Sequence, residues 1–99
     1  MDGAIVIYQI RNLPQAKKVK FGREFRGYTD KSNKGQYEYY REGLLDEIPH
    51  RKFIRGVLLI RREDREEMLD FMEEYEVKVH TRNVELTSED IEILSSRKG

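Results

Sequence analysis

The stretch Phe53-Ile-Arg-Gly-Val-Leu-Leu-Ile-Arg61, running on through an acidic segment to Thr81-Arg-Asn-Val-Glu-Leu86, decides the fold, and it reads as strand, helix, strand. Val57 to Ile60 is an apolar run of strand length, and Val77-Lys-Val-His-Thr81 alternates with period two. Between them Met68, Leu69, Met72 and Tyr75 recur at helical spacing. Asp64 stands three residues before Glu67, which predicts a capping box at the helix start. In that arrangement the Asp carboxylate accepts a backbone N–H while the Glu reaches back to the cap.

Upstream, Ala4-Ile-Val-Ile-Tyr-Gln-Ile10 is nearly continuous and rich in β-branched residues, as in a strand buried on both faces. Arg11-Asn-Leu-Pro14 ends it; Asn12 can cap a helix, and Pro14 is tolerated in a first turn, where its missing N–H has no partner anyway. Residues 13–26 read as that helix. Phe21, Phe25 and Tyr28 then lie on one side with Leu13 and Ala16, and Gly27 sits where a left-handed terminator belongs. A strand with Val19, Phe21 and Phe25 on one face is the competing reading. The Asn-x-Pro start and the Gly27 end favour the helix.

Tyr28 to Gly35 is polar, with turn chemistry, and reads as a loop. Gln36 to Arg41 alternates as a strand. The connection from Gly43 to Arg51 contains Pro49 and is too short for a crossover helix, so strand 36–41 should pair antiparallel with strand 53–61. Thr87, three residues before Asp90, predicts another cap. Glu89 to Leu94 then forms a short helix with Ile91 and Leu94 inward, and Ser95 to Gly99 should fray.

The implied order is one α+β domain over residues 1–99: a ferredoxin-like split β-α-β-β-α-β arrangement with a short C-terminal helix. Two helices cover one sheet face. With Val77 and Val79 toward them, Lys78, His80 and Arg82 point away. With Ile54, Leu58 and Ile60 toward them, Val57 and Leu59 lie on the open face among basic groups and need a cover. That cover is either the terminal helix or a second subunit, and a homodimer with Val57 and Leu59 in its interface is expected.

Apolar residues make up 37% and charged residues 38% of the chain, a surface-heavy balance suited to one small core. The absence of Cys excludes a disulfide framework, a thiolate metal site and a thiol nucleophile. A chain without Cys or Trp and rich in Lys, Arg and Glu resembles the cytosolic proteins of hyperthermophiles. Its apolar runs are too short to span a bilayer, and Met1-Asp-Gly3 does not begin a signal peptide, so a soluble cytoplasmic protein is expected. The net charge of zero is unevenly placed. Residues 1–61 hold thirteen Lys/Arg against seven Asp/Glu, and residues 62–99 hold six against twelve. Helix faces and caps explain the acidic half; the basic half suits a polyanion.

The densest basic and aromatic stretch lies between Lys17 and Arg41. Phe21 and Phe25 suit a core, as rings on a helix face usually do. That leaves Arg23, Arg26, Lys31, Lys34 and Arg41 to hold phosphates and Tyr28, Tyr37 and Tyr39 to stack on unpaired bases. Gly22 to Thr29 misses the phosphate-loop pattern, with Tyr28 where a Lys is needed. His50 and His80 are thirty residues apart with no thiolate, so no metal site is expected. The paired carboxylates fall on helices, and no acid–base pair or cofactor fingerprint is visible.

Val6-Ile-Tyr-Gln-Ile-Arg-Asn-Leu-Pro14 resembles the first-strand motif of RNA-recognition domains, and Arg55-Gly56 the start of their third-strand motif. Those domains carry stacking aromatics on the third strand, where this chain has Val57-Leu-Leu-Ile60, so membership is not assigned. The ferredoxin-like nucleases of CRISPR adaptation place a metal-binding Asp at the end of their first strand; Tyr8-Gln-Ile10 has no carboxylate there. The expected function is therefore non-enzymatic binding of RNA or single-stranded DNA, without cofactor or metal. The alternative is a homodimeric protein-interaction or small-ligand regulatory module.

Overall fold

The computed structural model describes residues 1–96. It is an α+β chain with a four-stranded antiparallel sheet, a separate two-stranded hairpin and four helices. In chain order these are β1 (Asp2–Gln9), α1 (Gln15–Arg26), β2 (Tyr28–Ser32), β3 (Tyr37–Arg41), α2 (Leu44–Glu47), β4 (His50–Ile54), β5 (Val57–Arg61), α3 (Arg65–Glu74), β6 (Lys78–Glu85) and α4 (Ser88–Ser96). The main sheet runs β4-β5-β1-β6. β1 is central: Ile5 lies between Leu59 of β5 and Arg82 of β6. No helix among the described residues is long and apolar enough to cross a membrane.

The alternation of β1 divides the apolar residues between two cores. Ala4 and Val6, fully buried, face α1 and α3 with Leu58, Ile60, Met68, Met72 and Val77. Phe21 and Phe25 of α1 are also fully buried and stack at 5.0 Å between ring centroids, with Tyr8, Phe71 and Tyr75 around them. On the other face Leu59, Leu86 and Leu94 form a smaller cluster with Ile5, Val84 and Ile91. The cover expected there is therefore α4 of the same chain. Leu59, expected in a subunit interface, is 2% exposed beneath α4 of its own chain, whereas Val57 stays half-buried.

Helix α1 forms as its spacing predicts, but Asn12 does not cap it. The Pro14 carbonyl accepts the first bond, from Lys18 N–H at 2.9 Å, and the cap makes no side-chain bond. Gly27 ends the helix at φ 83°, donating to the Arg23 carbonyl at 2.8 Å. Tyr28, expected on the apolar side of that helix, begins β2 instead. Residues 28–35 are not a loop: they hold β2 and a turn in which Lys34 and Gly35 have φ of 56° and 88°.

Strand 36–41 does not pair with 53–61. Tyr37–Arg41 pairs with Tyr28–Ser32, and His50–Ile54 folds back on Val57–Arg61. A short connection closes at less entropic cost than a longer one, and β3, exposed along its whole length, has no buried face to hold it in the main sheet. The expected box at the start of α3 is also absent. The Asp64 carboxylate accepts from Arg61 Nε at 2.8 Å and not from a backbone N–H of α3. The Thr87–Asp90 box forms as expected, with both reciprocal bonds at 3.0 Å. Leu94 is buried and Ile91 packs beside it; of the residues expected to fray, 97–99 lie outside the described residues.

Candidate nucleic-acid interface

The β2–β3 hairpin is an arm whose strands expose both faces over most of their length. Its register pairs Tyr28 with Arg41, Asp30 with Tyr39 and Ser32 with Tyr37. Directly opposed residues of an antiparallel pair share a face, so Tyr28, Tyr37, Tyr39 and Arg41 lie on one side, with Asp30 and Ser32. Tyr37 and Tyr39 are each 52% exposed. Along a strand such i, i+2 neighbours stand roughly 7 Å apart.

Arg23 reaches this face from the last turn of α1, its guanidinium carbon 5.0 Å from the centre of the Tyr28 ring. Arg41 is held by Asp30, with Nη2 3.3 Å and Nε 3.4 Å from Oδ2. Both groups of that pair are largely exposed, so the attraction is weak and solvent-screened.

The other expected phosphate contacts lie elsewhere. Lys31 is on the opposite side of the arm, 3.7 Å from Glu38. Lys34 is in the turn at the tip. The Arg26 guanidinium folds back along its own helix over the buried Gly22, where a Cβ would lie 2.6 Å from Nη2. Its charge, with that of Arg55, opposes the rise that burial imposes on the Tyr8 hydroxyl pKa. The structure thus gathers Arg23, Tyr28, Tyr37, Tyr39 and Arg41 and separates Arg26, Lys31 and Lys34 from them.

Tyr40, not singled out from the sequence, anchors the arm. Its hydroxyl donates to Asp46 Oδ2 at 2.7 Å and lies 3.1 Å from the Arg26 carbonyl oxygen. Asp46 also accepts from Gly43 N–H at 2.8 Å. The two ends of the arm cross at Gly27 and Gly43: a Cβ on Gly43 would lie 2.6 Å from the Phe25 carbonyl oxygen, and one on Gly27 2.7 Å from that of Arg41. The paired glycines bracketing a polar, Tyr-rich segment are the signal in the sequence for this base.

Among the described residues no group of three or more His, Asp or Glu side chains could hold a metal ion. His50 Nδ1 lies 2.9 Å from the Ile48 carbonyl oxygen, and His80 Nε2 is 3.4 Å from Arg82 Nε. Comparison with protein-family models, with curated proteins and with solved structures gives no match to this chain.

Proposed function

We propose that the protein binds single-stranded nucleic acid, RNA or DNA, without catalysis, across the tyrosine face of the β2–β3 arm. One observation carries this reading: Tyr28, Tyr37 and Tyr39 share a side of the hairpin with Arg41, and Arg23 stands over Tyr28. Exposed rings at strand spacing offer successive stacking planes, and the two guanidinium groups supply phosphate partners beside them. Among the described strand residues of that face the one carboxylate, Asp30, is already turned to Arg41.

The body carrying the arm is read as a ferredoxin-like split β-α-β sandwich with the arm and α2 inserted after α1. Two features support this: the order β4-β5-β1-β6 with every neighbouring pair antiparallel, and the element order that remains when the insertion is left out. Cytoplasmic residence and a thermophilic source remain inferences from the missing Cys and the charged surface. Of the residues assigned to a homodimer seam only Val57 keeps exposed surface, which weakens the alternative of a dimeric regulatory module.

The test is a titration of labelled oligouridylate and oligothymidylate over a range of salt. Affinity should fall steeply as salt rises, with a log–log slope of about −0.7 per phosphate contacted. Tyr37→Ala and Tyr39→Ala should each weaken binding by about 1–3 kcal/mol. Absence of binding at low salt rejects the reading.

A further inference from the structure

We infer that the half of the open sheet face not covered by α4 is a docking surface for an acidic amphipathic helix of a partner protein. Its floor is aliphatic. Ile7 pairs with Val57, and a β-bulge sets Phe53 and Ile54 opposite that same Val57. Ile7, Phe53 and Ile54 are 44%, 45% and 67% exposed, an apolar patch on the half of the face that α4 leaves open. Beside it Ile7, Gln9, Lys78 and His80 line a groove of about 400 Å³.

The rim is cationic. Lys78, His80 and Arg82 oppose Gln9, Ile7 and Ile5 and so share their side, and Arg55 sits in the turn at the end of the patch. Among the described residues Lys78, Arg82 and Arg55 form no ion pair with a carboxylate.

The covered half of the same face shows what this chemistry holds. There α4, an acidic helix, lays Ile91 and Leu94 on Leu59, Ile5 and Val84, while Arg51 grips Asp90 at 2.7 Å and Glu89 at 3.6 Å. The open half repeats the arrangement, an aliphatic floor edged by unpaired cations, without an occupant. A helix with apolar anchors at i, i+3 and i+7 and carboxylates on its flanks fits both features. A second copy stacked face to face would set cation against cation. A nucleic acid would meet an aliphatic floor with Phe53 as its one exposed ring, and no series of stacking planes.

The probe is a fluorescein-labelled peptide of about 18 residues, Leu and Glu at helical spacing, roughly 27 Å long when folded. Its Lys-for-Glu counterpart and oligothymidylate serve as comparisons, with amide chemical shifts of the protein as the map. The Glu peptide should bind and shift Ile7, Val57 and His80, and the Lys peptide should bind at least about tenfold more weakly. Ile54→Glu and Lys78→Glu, both at exposed positions, should each weaken the Glu peptide several-fold. The double variant Tyr37→Ala/Tyr39→Ala should bind it as the parent does, which separates this surface from the arm. Equal binding of both peptides, or shifts confined to the arm, overturns the inference. So does oligothymidylate shifting the sheet residues when the peptide does not, or those shifts arising from protein concentration alone.

Discussion

Asp64 and Asp90 stand in the same local pattern and meet different partners. Each lies at a helix start where a carboxylate can take up a backbone N–H that has no partner within the helix. Asp64 is claimed by Arg61 Nε, with which it makes both a hydrogen bond and an ion pair of opposite full charges. Asp90 keeps its box with Thr87 and adds Arg51, which arrives from β4, 39 positions earlier in the chain. The Thr87 backbone N–H first, and then its hydroxyl and the Arg51 guanidinium, hold the Asp90 carboxyl below the usual carboxylate range despite burial. A carboxyl whose folded pKa is depressed stabilises the fold above its unfolded value of about 3.9, and that contribution is lost as pH falls through the folded value. Asp90→Asn should therefore be less stable than the parent by about 1–2 kcal/mol at neutral pH. The gap should close in acid, below the ordinary carboxylate range. Urea unfolding of both proteins across pH checks this; a gap of constant size would show that the charge of Asp90 is not its source.

At the scale of elements, most periodic segments formed where their patterns put them, but the single strand expected over 53–61 is two strands. Ile54, expected toward the helices, opposes Val57 and is 67% exposed, and β3 pairs with β2. Val57 to Ile60 is a strand and residues 15–26 a helix because burial of Leu58, Ile60, Phe21 and Phe25 selects those periods. The chain from 53 to 61 breaks at Arg55-Gly56, where Gly56 takes φ 83° and its carbonyl accepts Tyr8 N–H at 2.9 Å. A Cβ at that residue would lie 2.7 Å from the Tyr8 carbonyl oxygen, so both backbone conformation and space require glycine. Gly56→Ala should cost on the order of 1–3 kcal/mol, read as a lower melting temperature with faster amide exchange in β4. A variant that melts with the parent would mean the turn relaxes without strain. The apolar runs that located β1 and β5 have no counterpart in β3, which its alternation marked as a strand but whose residues are all exposed, so its pattern did not say which strand it would pair with.

The whole molecule, 48 × 31 × 21 Å, is a two-cored body with an arm that contributes to neither core. Gly27 and Gly43 meet at its base, so the arm is an excursion that leaves and returns at one point. Replacing residues 28–42 with a short Asn-Gly turn should leave the body folded, within about 1 kcal/mol of the parent, since no buried apolar side chain is removed. The same change should abolish oligonucleotide binding. Loss of cooperative unfolding would show that the arm is part of the body, and retained binding would place the nucleic-acid surface elsewhere.

The charge asymmetry between the two parts of the chain is partly neutralised by ion pairs that link them. Arg51 and Lys17 from the basic part pair with Asp90 and Glu76 from the acidic part, as Arg61 does with Asp64. A count along the chain cannot show this, because opposite charges distant in sequence attract once folding brings them together.

The amino-acid order by itself did not mark β2, α2 or the turn at Arg55-Gly56, but it determined β1, β3, β5, β6, α1, α3 and α4 as strands and helices, most of their apolar faces, and that one sheet face needed a cover. Those properties follow from periodicity and local caps, which act over a few residues. Only the tertiary structure decided that β3 pairs with β2, that α4 covers Leu59, and that two of the five expected phosphate partners stand with the tyrosines. Each of those depends on which distant surface offers the larger burial or the better-paired charge, a comparison that exists only after the chain has closed on itself.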